Sequence, residues 1–125
     1  MKQIGYVLFA FATSISTFGQ ASIDGNTLQP KCQLALATKA EASKFTSSEF
    51  MDASFCQGYV AGVLDQISGA EGTTVPDNEK FCLAKIPLSQ VIKVVYKYMN
   101  EHPEQLHFDG ARLIRLSLGK ALPCG

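Results

Sequence analysis

Several features on which common protein functions depend are scarce or absent in this sequence. The chain has no tryptophan and only two histidines, and its 11 basic residues are balanced by 11 acidic ones among 125 residues. A formal net charge of zero gives no general electrostatic attraction to nucleic acid or to an anionic membrane. The sequence also lacks a Gly-rich phosphate loop and a close C-x-x-C pair. These absences argue against nucleic-acid binding, phosphate binding and a structural zinc site.

The N-terminal segment is poor in charge, and its pattern is typical of an export signal. Lys2 gives a positive start, and an uninterrupted apolar run follows from Ile4 to Ala12. This run is shorter than the roughly 20 residues that a membrane-spanning helix needs. Gly19 and Ala21 place small residues at the −3 and −1 positions that a signal peptidase recognises. We therefore predict that residues 1–21 are a cleaved signal peptide and that no membrane anchor remains.

All four cysteines lie in the predicted mature domain, residues 22–125. In an oxidising compartment, an even number of cysteines in a small domain is typical of disulfides. Four cysteines allow three pairings, and their spacing alone does not decide among them. An antiparallel helical hairpin brings together positions equidistant from its turn, which favours Cys32–Cys56 with Cys82–Cys124. The alternative, Cys56–Cys82 with Cys32–Cys124, would join the two ends of the domain.

Hydrophobic periodicity predicts helices and no strand in the mature domain. Four helices are predicted, over Thr27 to Lys39, Ser47 to Ser68, Pro87 to Glu101 and Asp109 to Leu122. Thr46 and Glu49 form a capping-box pattern at the start of the second helix, and Asp109 is an N-cap candidate for the fourth. We therefore expect a small all-α protein, an antiparallel four-helix bundle with two disulfides.

The second predicted helix carries two patterns. Large apolar residues form a stripe that should face the core, at Met51, Phe55, Tyr59 and Leu64, with Val60, Val63 and Ile67 beside it. Small residues recur every four positions, at Ser54, Gly58 and Gly62. Glycine inside a helix costs about 1 kcal/mol relative to alanine. The repeat of small residues therefore favours a groove in which another helix crosses closely.

The sequence offers little that points to catalysis. His102 and His107 flank a proline turn, but their five-residue spacing differs from the i, i+4 spacing of a helical metal pair. No pattern places either histidine beside a nucleophile. We therefore expect no catalytic residue, no metal and no cofactor, and we interpret the chain as a binding protein. An enzyme that uses His102 or His107 is the weaker alternative.

Four short motifs follow one another along the chain: Phe55-Cys56-Gln57-Gly58-Tyr59, Phe81-Cys82-Leu83, Glu101-His102-Pro103-Glu104 and Ala121-Leu122-Pro123-Cys124. In this order they resemble the Rap/Tai family of immunity proteins, which neutralise amidase effectors of type VI secretion. The resemblance runs from about Cys32 to Cys124. It implies an α-helical periplasmic protein that binds a peptidoglycan amidase and occludes its active site, with a homodimer as a second association. It implies no catalytic residues, because the family acts by binding.

The residues that contact an effector do not carry over from the family, so we predict them from expected exposure. The polar loop from Gly69 to Lys80 predicts a first patch, at Glu71, Asp77, Asn78 and Glu79. A second patch is predicted at His102, Glu104 and His107. The competing functional class is a periplasmic chaperone of the acid-stress type, which would release apolar surface when its carboxylates become protonated.

Overall fold

A computed structural model describes residues 22–69, 81–83 and 85–123, and the predicted signal peptide lies outside these ranges. The described residues form helices and no strand, which confirms the all-α class. The α-helices are α1 (Gly25–Ala35), α2 (Lys39–Ala42), α3 (Ser47–Gly69), α4 (Leu88–Glu101) and α5 (Gly110–Ala121), with a 3-10 helix at Pro103–Gln105. The described chain thus has five α-helices where four were predicted, and the antiparallel bundle stays a prediction.

The additional helix, α2, begins at Lys39, where the first predicted helix was expected to end. Helix α1 ends at Ala35 and does not continue to Lys39 as predicted. Thr38 and Glu41 form a capping box, in which the Thr38 N–H donates to Glu41 Oε2 at 2.7 Å and the Glu41 N–H donates to Thr38 Oγ1 at 3.3 Å. Because Thr38 has an extended backbone as the N-cap of α2, it cannot also continue α1.

Helix α1 also begins earlier than predicted. The Asp24 carboxylate accepts a hydrogen bond from the Thr27 N–H at 2.9 Å, which makes Asp24 the N-cap. This hydrogen bond lowers the pKa of Asp24 below its ordinary value, because it stabilises the ionised carboxylate. Because the helix starts at Gly25, Pro30 lies inside it and not in its first turn.

The predicted caps of the longer helices are confirmed. The Thr46 N–H donates to Glu49 Oε2 at 2.8 Å, and the Glu49 N–H donates back to Thr46 Oγ1 at 3.2 Å. At the start of α5, the Asp109 carboxylate accepts from the Arg112 N–H at 2.8 Å. Each cap satisfies backbone N–H groups that have no partner inside the helix, so these two boundaries follow from local sequence alone.

The hydrophobic core lies where α1, α3, α4 and α5 meet. Its fully buried side chains come from all four helices, and the largest are Leu28, Val60, Val91, Ile92, Val95, Met99, Leu113, Ile114 and Leu118. Ser117 is also buried, and its hydroxyl donates to the Ile114 carbonyl at 2.8 Å. A buried hydroxyl that has such a partner avoids most of its desolvation cost.

The N-termini of α1 and α5 are held together through two glycines. The Gly25 N–H donates to the Phe108 carbonyl at 3.1 Å, and the Gly110 N–H donates to the Ile23 carbonyl at 2.6 Å. A Cβ at Gly25 would lie 2.5 Å from Leu113 Cδ1, so any side chain there would collide with the core. A Cβ at Gly110 would lie 2.9 Å from a ring carbon of Tyr59. Both glycines therefore permit a close approach of the two helix ends.

A disulfide joins α1 to α3. Cys32 and Cys56 are bonded, their Cα atoms are 5.1 Å apart, and both side chains are fully buried. This confirms the first predicted bridge and contradicts the alternative that paired Cys56 with Cys82. Lys31 forms a salt bridge with Asp52 beside it, across the same two helices. Cys124 lies outside the described residues, so the Cys82–Cys124 bridge stays a prediction.

The inward face of α3 agrees with the predicted one at Val60 and Val63 and differs from it at Met51 and Phe55. Ala53, Cys56, Val60 and Val63 are buried, whereas Met51 and Phe55, predicted to face the core, are exposed. The predicted helix-crossing groove is also wrong. A Cβ at Gly58 or Gly62 would meet nothing within 4 Å. The small residues of α3 therefore lie on its outer side, where no described helix packs.

Removal of the α1–α3 disulfide should lower the free energy of unfolding substantially. We expect the double variant Cys32→Ala/Cys56→Ala to lose about 3–4 kcal/mol, since the bridge closes a long loop and restricts the unfolded chain. Equilibrium unfolding in urea, followed by circular dichroism, measures this change. An unchanged unfolding midpoint would contradict a stabilising role for this bridge.

Substitution of glycine by alanine should change the free energy of unfolding in opposite directions on the outer side of α3 and at the N-terminus of α5. Gly58→Ala and Gly62→Ala should each raise the free energy of unfolding by about 0.5–1 kcal/mol, because the new methyl group meets open space and favours the helix. Gly110→Ala is the matched control and should lower it by about 1–3 kcal/mol, because its methyl group collides with Tyr59. Destabilisation by Gly58→Ala in urea unfolding would show that another element covers this face.

Candidate partner-binding surfaces

The structure describes the second of the two predicted contact patches but not the first. Glu71, Asp77, Asn78 and Glu79 lie outside the described residues, so the first patch stays a prediction. His102, Glu104 and His107, the second patch, lie in the segment that connects α4 to α5. Glu104 and His107 are exposed there, and His102 is half-buried.

The two histidines are held by different aromatic neighbours. The His102 ring stacks on Tyr98 with centroids 4.0 Å apart, and its Nδ1 lies 2.9 Å from the Tyr98 carbonyl oxygen. The His107 ring meets Phe108 edge-on at 4.6 Å. The His102 side chain therefore packs against the last turn of α4, whereas the His107 side chain is exposed at the surface. Within the described residues, no group of three His, Cys, Asp or Glu side chains is placed to hold a metal ion.

Tyr98 links this segment to the body of the protein. Its hydroxyl donates to Gln105 Oε1 at 2.8 Å, which ties α4 to the 3-10 helix. Burial raises the pKa of the Tyr98 hydroxyl above its ordinary value, and the negative charge of Glu104 acts in the same direction. Tyr98 is therefore a neutral hydrogen-bond donor at physiological pH, and its role is structural.

The outer face of α3 is a second candidate surface. We define this outer face by six exposed residues: Phe50, Met51, Ser54, Phe55, Gly58 and Gly62. Four large hydrophobic residues are exposed among those described, and three of them are on this face, with exposed fractions of 64% for Phe50, 70% for Met51 and 39% for Phe55. Exposed apolar residues that cluster on one element are typical of protein–protein interaction sites.

Phe55 is held in place by its neighbours, although it is exposed. Its ring stacks with Tyr59 at a centroid distance of 5.9 Å, and Lys31 Nζ lies 5.5 Å from the ring centroid. An anchor that is already ordered loses little side-chain entropy when a partner binds. Gly58 and Gly62 lie further along the same face and leave room for a partner's side chain or backbone. The outer face of α3 therefore combines protruding aromatic and thioether groups with a shallow depression.

Sequence reasoning missed the outer face of α3 because periodicity alone does not fix which side of a helix faces inward. The signal that could have found it is Cys56. If the cysteine of a buried disulfide faces the core, helical spacing turns Val60 and Val63 inward and turns Met51 and Gly58 outward.

A groove between α4 and α5 is the third candidate surface. Its volume is about 430 Å³, and its lining comprises Gln90, Lys93, Val94, Lys97, Tyr98, Glu101, Ser117, Lys120 and Ala121. We call it the lysine groove after Lys93, Lys97 and Lys120. Lys97 Nζ lies 3.7 Å from Glu101 Oε1, and Lys120 Nζ lies 5.9 Å from the centroid of the Tyr98 ring. The three lysines and one glutamate leave this groove positively charged.

None of the helices in the described ranges has the length and apolar character needed to cross a membrane.

Comparisons with known proteins assign the chain to a family. No curated protein and no solved structure matches it significantly. The sequence profile of the family described as Rap1a immunity proteins matches residues 24–124. This range begins at the N-cap of α1 and includes all five described α-helices and all four cysteines. The chain belongs to the family of Rap1a immunity proteins.

Proposed function

We propose that this protein is a periplasmic immunity protein that binds a peptidoglycan amidase effector of type VI secretion and occludes its active site. The observation that carries the proposal is the family match over residues 24–124. The predicted signal peptide, residues 1–21, would export the chain to the compartment that contains murein. The protein would act by binding and would have no enzymatic activity of its own.

The fold supports action by binding. An inhibitor must be folded before its target arrives, and the Cys32–Cys56 bridge limits the population of unfolded chains. The described helices also hold their candidate contact residues in fixed positions, since Phe55 packs on Tyr59 and His102 packs on Tyr98. Pre-ordered surfaces of this kind bind with a smaller entropic cost than flexible ones.

The outer face of α3 is the proposed contact surface for the amidase. Phe50, Met51 and Phe55 are the large apolar groups available as anchors on this helix, and interfaces depend on a few such buried anchors. The helix of 23 residues is about 35 Å long, which is long enough to span an enzyme cleft. The predicted loop patch, Glu71 to Glu79, follows α3 in sequence and stays a second proposed contact region.

Charged residues on the outer face of α3 should abolish amidase binding without unfolding the protein. We expect Met51→Asp/Phe55→Asp to raise the Kd by about 30-fold or more, as the loss of a central anchor does. Thermal unfolding should change little, because both side chains are exposed. Calorimetry with candidate type VI amidase effectors, together with a murein-hydrolysis assay, measures binding and inhibition.

The control for this experiment is Leu83→Asp, which alters an exposed apolar residue outside α3 and should leave the Kd unchanged. If the α3 variant binds as tightly as the unaltered protein, the amidase uses another surface. If the unaltered protein neither binds nor inhibits the amidase, the proposed function itself is wrong.

A homodimer is a second proposal for the same face. In an antiparallel pair of α3 helices, Phe50, Met51 and Phe55 of one copy would face Gly58 and Gly62 of the other. The large and small halves of the face are thus self-complementary, as a two-fold interface requires. Sedimentation equilibrium would detect the dimer, and Met51→Asp/Phe55→Asp would make it monomeric.

We also propose the second bridge, Cys82–Cys124. The Cys82 N–H donates to the Leu122 carbonyl at 3.0 Å, which brings Cys82 close to the residues that precede Cys124. None of the described cysteines is a free thiol.

Peptide mapping of the exported protein without reduction tests this pairing. We expect the Cys82 peptide to be linked to the Cys124 peptide, and the Cys32 peptide to the Cys56 peptide. Recovery of Cys124 as an alkylated free thiol would contradict the second bridge.

A further inference from the structure

We propose that the lysine groove between α4 and α5 is a carboxylate-binding site that accepts an acidic segment of a protein chain. The inference goes beyond the proposed function, because it depends on the charge and shape of this groove and not on the identity of the amidase.

The charge of the groove is the first support. Lys93, Lys97 and Lys120 supply three ammonium groups, and Glu101 supplies the one carboxylate of the lining. The pairing of Lys97 with Glu101 is weak, because both side chains are largely exposed to solvent and their charged atoms are 3.7 Å apart. The complete chain has a net charge of zero, so the positive charge of the groove is a local excess and not a property of the whole chain.

The floor of the groove is the second support. Tyr98 is 9% exposed and Ser117 is 1% exposed, so the lysines lie beside a part of the groove that water reaches poorly. Charge pairs are stronger beside such surface than in open water. The Ser117 hydroxyl already donates to the Ile114 carbonyl, which leaves the ammonium groups as the charged donors to a ligand. Lys120 also lies over the face of Tyr98, which restricts where its ammonium group points.

The arrangement of the lysines favours an extended acidic peptide over a compact phosphate. Lys93 and Lys97 are one helical turn apart, with Cβ atoms separated by about 6 Å, and Lys120 comes from the facing helix. The lining contains no arginine, which is the residue that binds phosphate in a bidentate way. The volume of about 430 Å³ is in the range of ordinary ligand sites. Ammonium groups that are separated along α4 and across to α5 match carboxylates spaced along a chain.

Titration of the isotopically labelled protein with a capped hexaglutamate peptide, followed by NMR, tests the proposal. We expect chemical-shift changes centred on Tyr98 and Lys120, with binding that weakens as salt increases from about 0.01 M to about 1 M. Capped hexaglutamine is the neutral control and should cause no change. Lys93→Gln/Lys97→Gln/Lys120→Gln should weaken binding of hexaglutamate by about tenfold or more.

The matched control variant is Lys39→Gln/Lys44→Gln/Lys85→Gln, which removes the same number of exposed lysines outside the groove and should bind as the unaltered protein does. A folded groove variant that binds hexaglutamate normally would overturn the proposal, and so would the absence of shift changes at the groove. Equal binding of inorganic phosphate at the groove would overturn the preference for an acidic chain. None of these results depends on amidase binding, so failure here is distinguishable from failure of the proposed function.

Discussion

The contact between α1 and α3, closed by the Cys32–Cys56 disulfide, is the constraint on which the rest of the structure depends. It fixes the rotation of α3 about its own axis, because Cys56 must face α1. Val60 and Val63 then face the core, and the side that carries Met51 and Gly58 is left outside. The same helix α1 reaches α5 through the backbone hydrogen bonds of Gly25 and Gly110. Helix α1 is therefore the element against which α3 and α5 are both positioned.

This arrangement explains how a small domain can offer binding surfaces without becoming unstable. The fully buried side chains come from four helices and form one core, so the outer face of α3 is not needed for folding. Exposed apolar groups carry a cost in solubility, and three of them clustered on one helix are typical of an interaction site. The lysine groove lies between α4 and α5 and has a different chemistry, so the molecule presents an apolar surface and a cationic surface on different elements.

The parts of the fold that could be predicted from sequence are those set by local chemistry. Capping at Thr46 and Asp109 depends on residues three positions apart, and both predicted caps are present. The α2 helix and the early start of α1 depend equally on local caps, at Thr38 and Asp24, and those two caps were overlooked. The Cys32–Cys56 pairing was predictable because the two cysteines are symmetric about the turn between their helices.

The parts that could not be predicted depend on which side of each helix meets a neighbour. Periodicity placed Met51 and Phe55 on an apolar stripe, but only tertiary packing decides whether such a stripe is the inward one. The same limit applies to Gly58 and Gly62, whose spacing suits a helix crossing that no described element makes. The lysine groove was missed for a related reason, since Lys93 and Lys97 of α4 meet Lys120 of α5 only after folding.

Hydroxyl-radical footprinting of the protein, free and saturated with the proposed amidase partner, is the most direct measurement of where that partner binds. Met51 is 70% exposed and Met99 is fully buried, so the two methionines give an internal comparison within one spectrum. We expect Met51 to be oxidised rapidly in the free protein at concentrations where it is monomeric and to be protected in the complex, with Met99 unreactive in both. Equal oxidation of Met51 in the free protein and in the saturated complex would contradict binding through the outer face of α3.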